Sequence, residues 1–359
     1  ANRIKLYVNG TQQTTDFGTA NYPTQNHDTE QNNNGDSMYI GARTDSTTEG
    51  SSMTQHYDGY IADFHLIDGA QKAASDFGET NDNGVWIPKK YTGTYGTNGF
   101  KLEFQQTGTS ANASGIGADT SGNGNHFAVN NIGSNQPTID TPTNNYCVLN
   151  QLYRATTGST ARPTITGGNL SVARVADSST QGTFGVANGK WYFEVRYNSG
   201  QVDGYPQIGY SKSGGINAGE MVGFHTPSGS DYRGKIAGTT VNNAFDGSPA
   251  QSDKIGFYLD LNNSTLIVHQ NGSDFMGSGA TNGIDFSSTT FDPDTGFFQV
   301  RYNSNTNIAH FIEFNFGQPS YSISSAVSDA NGHGSFEYNP TLSSTNYLAL
   351  CTKNLAEFG

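Results

Sequence analysis

The sequence is short of charge, of cysteine and of long apolar runs, and each shortage removes a class of function. Only 14% of its 359 residues are charged, with 31 acidic against 18 basic and a formal net charge of −13. No segment is a basic stripe. A chain of this sign repels phosphate backbones, so neither nucleic acid nor an anionic membrane surface is an expected partner. The two cysteines, Cys147 and Cys351, make neither a disulfide framework nor a zinc-type CxxC pair. Two buried thiols are the plain reading, and one disulfide is the alternative. No apolar run approaches the ~18 residues of a membrane span, so membrane insertion is not expected. Helical patterning is nearly missing as well; residues 69–77 read as one short helical turn.

What is present is strand chemistry. The chain carries 21 Phe, 19 Tyr and 2 Trp against 45 Gly, enough large apolar groups to build cores despite the polar composition. Nine Asn-Gly dipeptides punctuate it. Asn and Gly both tolerate the positive φ that type I′ hairpin turns need. Ile4-Lys5-Leu6-Tyr7-Val8 runs into Asn9-Gly10, and Leu266-Ile267-Val268-His269-Gln270 runs into Asn271-Gly272. Each reads as one arm of an antiparallel hairpin. Strands recurring every ten or so residues between such turns predict an all-β chain, two antiparallel β-sandwich (jelly-roll-like) modules in tandem.

The first module is placed at 1–105, with strands at 3–8, 37–43, 58–67 and 99–105. Residues 106–145, poor in apolar groups and rich in Gly, Ser and Asn, read as a connector carrying a short strand at 127–132. The second module takes 146–359, with strands at 169–175, 190–197, 205–210, 220–225, 254–260, 264–270, 296–302, 309–316 and 346–351. One short echo joins two of these strands: Val195-Arg196-Tyr197-Asn198-Ser199 and Val300-Arg301-Tyr302-Asn303-Ser304.

Catalytic patterns are missing. A retaining glycosidase needs two carboxylates on one strand face. The glucanase pattern Glu-x-Asp-x-x-Glu does not occur, and Glu194 has Tyr192 and Arg196 as its same-face neighbours. No Gly-x-Ser-x-Gly elbow, phosphate loop or His-Glu-x-x-His is present. The chain is therefore read as a non-enzyme that needs no cofactor.

The second module resembles a SPRY domain. The residues that carry the likeness are Gly189-Lys190-Trp191-Tyr192-Phe193-Glu194-Val195, Ile208-Gly209-Tyr210, the hairpin from Asp253 to Gly272, and Phe314-Asn315-Phe316-Gly317-Gln318-Pro319. Trp191 is expected as a core anchor. The first module resembles a laminin-G/concanavalin A-like jelly roll through Lys5-Leu6-Tyr7-Val8-Asn9-Gly10, Met38-Tyr39-Ile40-Gly41 and residues 57–68. That family has several strands before this hairpin. The missing half is expected either in sequence ahead of Ala1 or from another chain. Together the two modules resemble marine bacteriophage tail-fibre and virion structural proteins.

The resemblance implies a virion appendage, acting outside the cell, that binds host-surface glycan or protein. A structural virion protein whose SPRY-like module docks to another virion protein is the alternative, and a glycanase the third reading. A homo-oligomer, such as a trimer, is expected of a fibre. SPRY-like binding uses loops at one end of the sandwich, which points to Asp203, Tyr205, Asp231, Tyr232, Arg233 and Asp246. Ser230-Asp231-Tyr232-Arg233-Gly234 stands out as a Gly-flanked loop. A structural calcium ion, in keeping with laminin-G modules, would find oxygen ligands at Asp28, Glu30 and Asp36 in one loop, or at Asp119, Asn123 and Asn125 in another. Backbone capping by these Asx residues is the plainer reading.

Overall fold

The computed structural model describes residues 4–14, 22–24, 37–44, 53–54, 56–57, 59–81, 84–132, 137–141, 143–156, 162–173, 175, 177–197, 206–212, 221–228, 231–247, 249–287, 296–302 and 311–359. The chain divides into two compact units, Ala1–Pro137 and Thr138–Gly359. The segment expected as a connector is shared between them.

The first unit is built from short ribbons. Its strands are β1 (Leu6–Val8), β2 (Thr11–Gln13), β3 (Arg43–Thr44), β4 (Met53–Thr54), β5 (Phe64–Leu66), β6 (Gly78–Thr80), β7 (Trp86–Pro88) and β8 (Phe100–Leu102). They pair only in twos: β1 with β2, β3 with β4, β5 with β8, β6 with β7. Among the described residues no two-layer jelly roll is formed, so the laminin-G likeness finds no sheet to match. The β1–β2 turn does follow its sequence, with Asn9 at φ 48° and Gly10 at φ 75°, the left-handed pair a type I′ turn requires. A small core gathers on β8, where Phe100 and Leu102 are buried with Ile116 and Ala118. The expected strand at 127–132 is a single bridge, Gly117 to Phe127. The Phe127 ring packs 4.8 Å from Phe100, and Asn131 at φ 60° leaves the extended region.

The second unit carries the large sheets. Its strands are β9 (Leu149–Thr156), β10 (Thr164–Thr166), β11 (Ser171–Ala173), β12 (Ser178–Val186), β13 (Lys190–Tyr197), β14 (Pro206–Lys212), β15 (Met221–Ser228), β16 (Asp231–Ile236), β17 (Thr239–Val241), β18 (Lys254–Asp260), β19 (Thr265–Gln270), β20 (Ser273–Asp274), β21 (Ile284–Asp285), β22 (Gly296–Tyr302), β23 (Phe311–Asn315), β24 (Thr341–Leu342), β25 (Thr345–Asn346) and β26 (Leu348–Ala349). A nine-stranded sheet runs β10-β11-β23-β13-β18-β19-β20, with β21 on β19 and β26 beside β13. A seven-stranded sheet runs β17-β16-β15-β14-β22-β12-β9. Every pairing is antiparallel except β13 with β26. A helix, α1 (Thr352–Phe358), follows the last strand, where the sequence shows no helical patterning.

Alternation explains the sandwich. Trp191, Phe193, Val195 and Tyr197 point from β13 into the core and meet Ile208, Tyr210, Val222, Phe224, Phe298 and Val300 from the other sheet. The Phe193 and Phe298 rings lie 4.5 Å apart, inside the range where aromatic pairs add to simple burial. Trp191 is fully buried and its indole N–H donates to Asn188 O at 2.7 Å, so the core-anchor reading of this residue stands. The opposite face of β13 is covered too. Tyr192 and Tyr258 pack there with Tyr146, Phe336, Tyr347 and Cys351, residues mostly supplied by the chain after β23. Cys147 and Cys351 are both buried free thiols.

Candidate functional site

The seven-stranded sheet turns its other face away from the core, and that face is polar. Ile208 and Tyr210 point inward from β14, so Gln207, Gly209 and Ser211 point outward. The register extends this across the sheet. Ser179 and Gln207 both stand opposite Arg301, Gln207 opposite His225, and His225 opposite Arg233. A second row runs from Gln181 through Gln299, Gly209 and Gly223 to Lys235 and Thr240.

The polar side chains of the two central rows are mostly closed off from solvent. Ser179, Gln207 and Gln299 are at most 1% exposed, and Gln181 and His225 are buried. The facing glycines leave its centre without side chains. A Cβ on Gly209 would sit 2.1 Å from Val222 O and 2.6 Å from Gly223 Cα, so the two backbones cross too closely for any larger residue. Three cations border this floor. Arg301 Nη1 donates to Gln207 Oε1 at 3.4 Å. Lys235 Nζ donates to Thr240 Oγ1 at 2.7 Å and to Gly238 O at 3.4 Å. Burial holds the Lys235 ammonium below the usual lysine range, and repulsion from Arg233 and Arg301 adds to it. Burial also lowers Arg301, with Asp177 opposing. Among the described residues neither Lys235 nor Arg301 forms an ion pair with a carboxylate. Ser179 Oγ and Gln181 Oε1 are buried without a hydrogen-bond partner among the described residues. Such groups are costly unless something bonds to them.

Of the six residues expected to bind, Arg233 is the one whose described side chain lies in this row. The stretch around it is not a loop. Asp231–Ile236 is a strand paired on both sides. Gly234, which read as loop punctuation, faces the core, where a Cβ would come 2.9 Å from Ile284 Cδ1 and 3.1 Å from Ala244 Cβ. The side chains of Asp231 and Tyr232, and the whole of Asp203 and Tyr205, lie outside the described residues. Asp246 is exposed on a turn tied by its N–H to Phe275 O at 3.0 Å.

Asp28, Glu30 and Asp36 also lie outside the described residues. Among those described, no cluster of three or more His, Cys, Asp or Glu is arranged to hold a metal. The second Asx loop caps backbone. Asp119 accepts from the N–H groups of Lys101 at 3.0 Å, Ser121 at 2.8 Å and Asn125 at 2.9 Å. The Asn123 and Asn125 amides donate to Gly99 O at 2.8 and 3.0 Å.

Glu194 has the surroundings of a functional carboxylate, but its own chain closes it off. It is fully buried on the outer face of the nine-stranded sheet. It accepts from Tyr338 N at 2.8 Å, Glu337 N at 3.1 Å, Asn315 Nδ2 at 3.0 Å and Tyr192 Oη at 3.0 Å. Burial raises its pKa, and these hydrogen bonds oppose the rise. Nearby, Arg196 is tied by Nε to Glu313 at 2.8 Å and lies 4.6 Å from the centre of the Tyr321 ring. This cluster pins the chain after β23 to the sheet.

No protein-family model matches the sequence, and no curated protein matches it. Among solved structures, the SPRY domain of human HERC1 is similar at 15% identity and a TM-score of 0.32, over 49% of this chain and 95% of that one. The PSpry domain of TRIM65 is similar at 14% identity and a TM-score of 0.30, over 42% of this chain and 84% of that one. The fold class rests on the sheets themselves: the chain is all-β, with two large antiparallel sheets packed as a sandwich in its second unit.

Proposed function

We propose that the chain is a non-catalytic recognition protein, part of a virion appendage, whose second unit binds a glycan on the host surface. The observation that carries this reading is the polar outer face of the seven-stranded sheet, where the register sets the amide, hydroxyl and guanidinium groups of Gln207, Gln299, Ser179 and Arg301 in adjoining positions. Sugars offer hydroxyls that both donate and accept, and amides and guanidinium groups match them. Protein-binding faces instead centre on apolar and aromatic anchors, and the two central rows of this face hold none. The sequence likeness to phage tail-fibre proteins supports the setting.

The test is binding of the fluorescently labelled chain to a panel of marine bacterial cells. Cells are used untreated, after periodate oxidation of their glycans, and after protease digestion, each with and without EDTA. Saturable binding that periodate abolishes and protease leaves intact is the expected result. Loss on protease digestion alone would shift the target to a protein, and loss with EDTA would bring in calcium. Absence of saturable binding to every strain, or release of reducing ends from cell polysaccharide, overturns the reading.

A further inference from the structure

The nine Asn-Gly dipeptides carry a chemistry of their own, because asparagine is a labile residue. The glycine nitrogen loses its proton and attacks the asparagine Cγ. The side-chain amide leaves as ammonia, and a five-membered imide joins the two residues. Water then opens the ring at either carbonyl and leaves aspartate or isoaspartate. The ring fixes the asparagine backbone outside the left-handed region, so a left-handed turn must open before it can close. The reaction therefore needs a free amide and a free glycine N–H in a turn that opens at little cost.

Asn34 and Asn83 lie outside the described residues. Of the other seven asparagines, six are restrained. Asn123 donates to Gly99 O at 2.8 Å, and Asn331 to Asn354 Oδ1 at 2.8 Å. After Asn188, the Gly189 N–H donates to Asn262 Oδ1 at 3.0 Å; after Asn282, the Gly283 N–H donates to Ala280 O at 2.9 Å. Asn98 donates its N–H to Asp68 Oδ2 at 3.0 Å, and Gly99 behind it is buried. The Asn271 amide donates to Asp253 Oδ1 at 2.7 Å and accepts from Lys254 N at 3.0 Å.

Asn9 shares the conformation of Asn271 and none of its restraints. The φ values are 48° and 75° at Asn9 and Gly10, against 49° and 78° at Asn271 and Gly272. Yet Asn9 is exposed, and neither its amide nor the Gly10 N–H has a hydrogen-bond partner among the described residues. Asn271 ends β19, a strand of the nine-stranded sheet. Asn9 joins β1 to β2, which pair only with each other, and Leu6, Tyr7 and Val8 are all exposed. A two-stranded ribbon with so little buried opens readily. We infer that Asn9 is a spontaneous modification site, where one water is consumed, one ammonia is released, and the β1–β2 ribbon of the folded chain is opened. Isoaspartate adds a carbon to the backbone, which a two-residue turn cannot absorb. Gly10, which packs so closely on Trp86 that a Cβ would come 2.3 Å from the ring, then leaves it.

The experiment ages the full chain in mildly alkaline buffer, with and without urea. Pepsin digestion in acid, where the reaction is slow, and mass spectrometry follow each amide as it becomes an acid. A hydrogen bond to a charged group that must break first slows the reaction about tenfold. Asn9 should therefore react at least about tenfold faster than Asn271 in the folded chain, and the two should react alike in urea. Asp253→Ala, shown by thermal melts to fold, should speed Asn271 and leave Asn9 unchanged. The isoaspartate form, separated by its added charge, should show red-shifted Trp86 emission. Equal rates at Asn9 and Asn271 in the folded chain, or a faster Asn271, overturn the inference. No gain at Asn271 in the Asp253→Ala chain overturns the role given to its side-chain bonds. Unchanged tryptophan emission in the isoaspartate form overturns the opening of the ribbon.

Discussion

Glu194 gives the most direct test of how the second unit is held together. Replacing it with Ala strands three fixed donors, the N–H groups of Glu337 and Tyr338 and the Asn315 amide, while the Tyr192 hydroxyl can rotate. A buried donor left without an acceptor costs about 1–3 kcal/mol. Relief of the carboxylate's own burial penalty offsets part of that sum, and the net loss expected is ~3–5 kcal/mol. At ~2–4 °C per kcal/mol for a domain of this size, the melting temperature should fall by about 6–20 °C. Glu194→Gln keeps one acceptor oxygen and should lose roughly half as much. The assay is urea and thermal unfolding followed by the fluorescence of Trp191, three residues away in the same strand. The pH dependence supplies a second readout. Burial raises the folded-state pKa of Glu194 above its ordinary value of 4.5. In the window just above 4.5, the unfolded chain has lost a proton that the folded chain keeps, so stability falls as pH rises through it. Glu194→Gln lacks this slope, so the advantage of the parent chain should shrink from acid toward neutral pH. An Ala variant within ~1 kcal/mol of the parent, or an advantage that grows with pH, would refute the reasoning.

Two further outcomes follow from the same sandwich. Asp260 is ion-paired with Lys190 and accepts from Asn263 N at 3.0 Å and Nδ2 at 2.8 Å, contacts that hold its carboxyl below the ordinary 3.8 despite burial. Asp260→Asn should cost ~1–3 kcal/mol at neutral pH, and the gap to the parent chain should close as pH falls below 3.8; a gap constant across that range in denaturant titrations would count against it. Burial pushes the Cys147 thiol up to about 11 and also raises Cys351, so Ellman's reagent should label neither thiol in the folded chain and both on unfolding. Rapid labelling under native conditions would show the second unit opening locally.

Much of the sandwich was legible because some strands keep one simple pattern. Residues 190–197, 254–260 and 296–302 were read to their observed ends, since aromatic and β-branched residues alternate there between turn residues. At Asn271 and Gly272 the φ values of 49° and 78° repeat what the dipeptide implies. Two of the five strands that supply the candidate site, β12 and β16, were missed. Ser178–Val186 carries no strand pattern in the sequence, because Ser, Gln and Gly have weak strand preference; it becomes a strand only through pairing with β22 on one side and β9 on the other. Asp231–Ile236 was misread because Gly234 serves the core rather than a turn. The row across the sheet was illegible for a further reason. Its members come from five strands, and only the register of the folded sheet sets Ser179, Arg301, Gln207, His225 and Arg233 in line.

One signal in the sequence did touch the site. The echo Val-Arg-Tyr-Asn-Ser places Arg196 and Arg301 at like positions, one on the outer face of each sheet. The two arginines have different fates. Arg196 meets Glu313, which stands opposite it on β23, and stacks on Tyr321, so its charge is spent inside the fold. Arg301 stands between Ser179 and Gln207, neither of which can neutralise it. The two outer faces differ in the same sense. The face around Arg196 is covered by the chain's own Phe336, Tyr347 and Tyr146, aromatic groups that fill it from within. The face around Arg301 has glutamines, serines and paired glycines instead, which fill little volume and leave hydrogen-bonding capacity over. Among the described residues Arg301 forms no ion pair like that of Arg196 with Glu313; Asp177 acts on it through its charge alone, and a half-buried cation held so loosely adds little to folding.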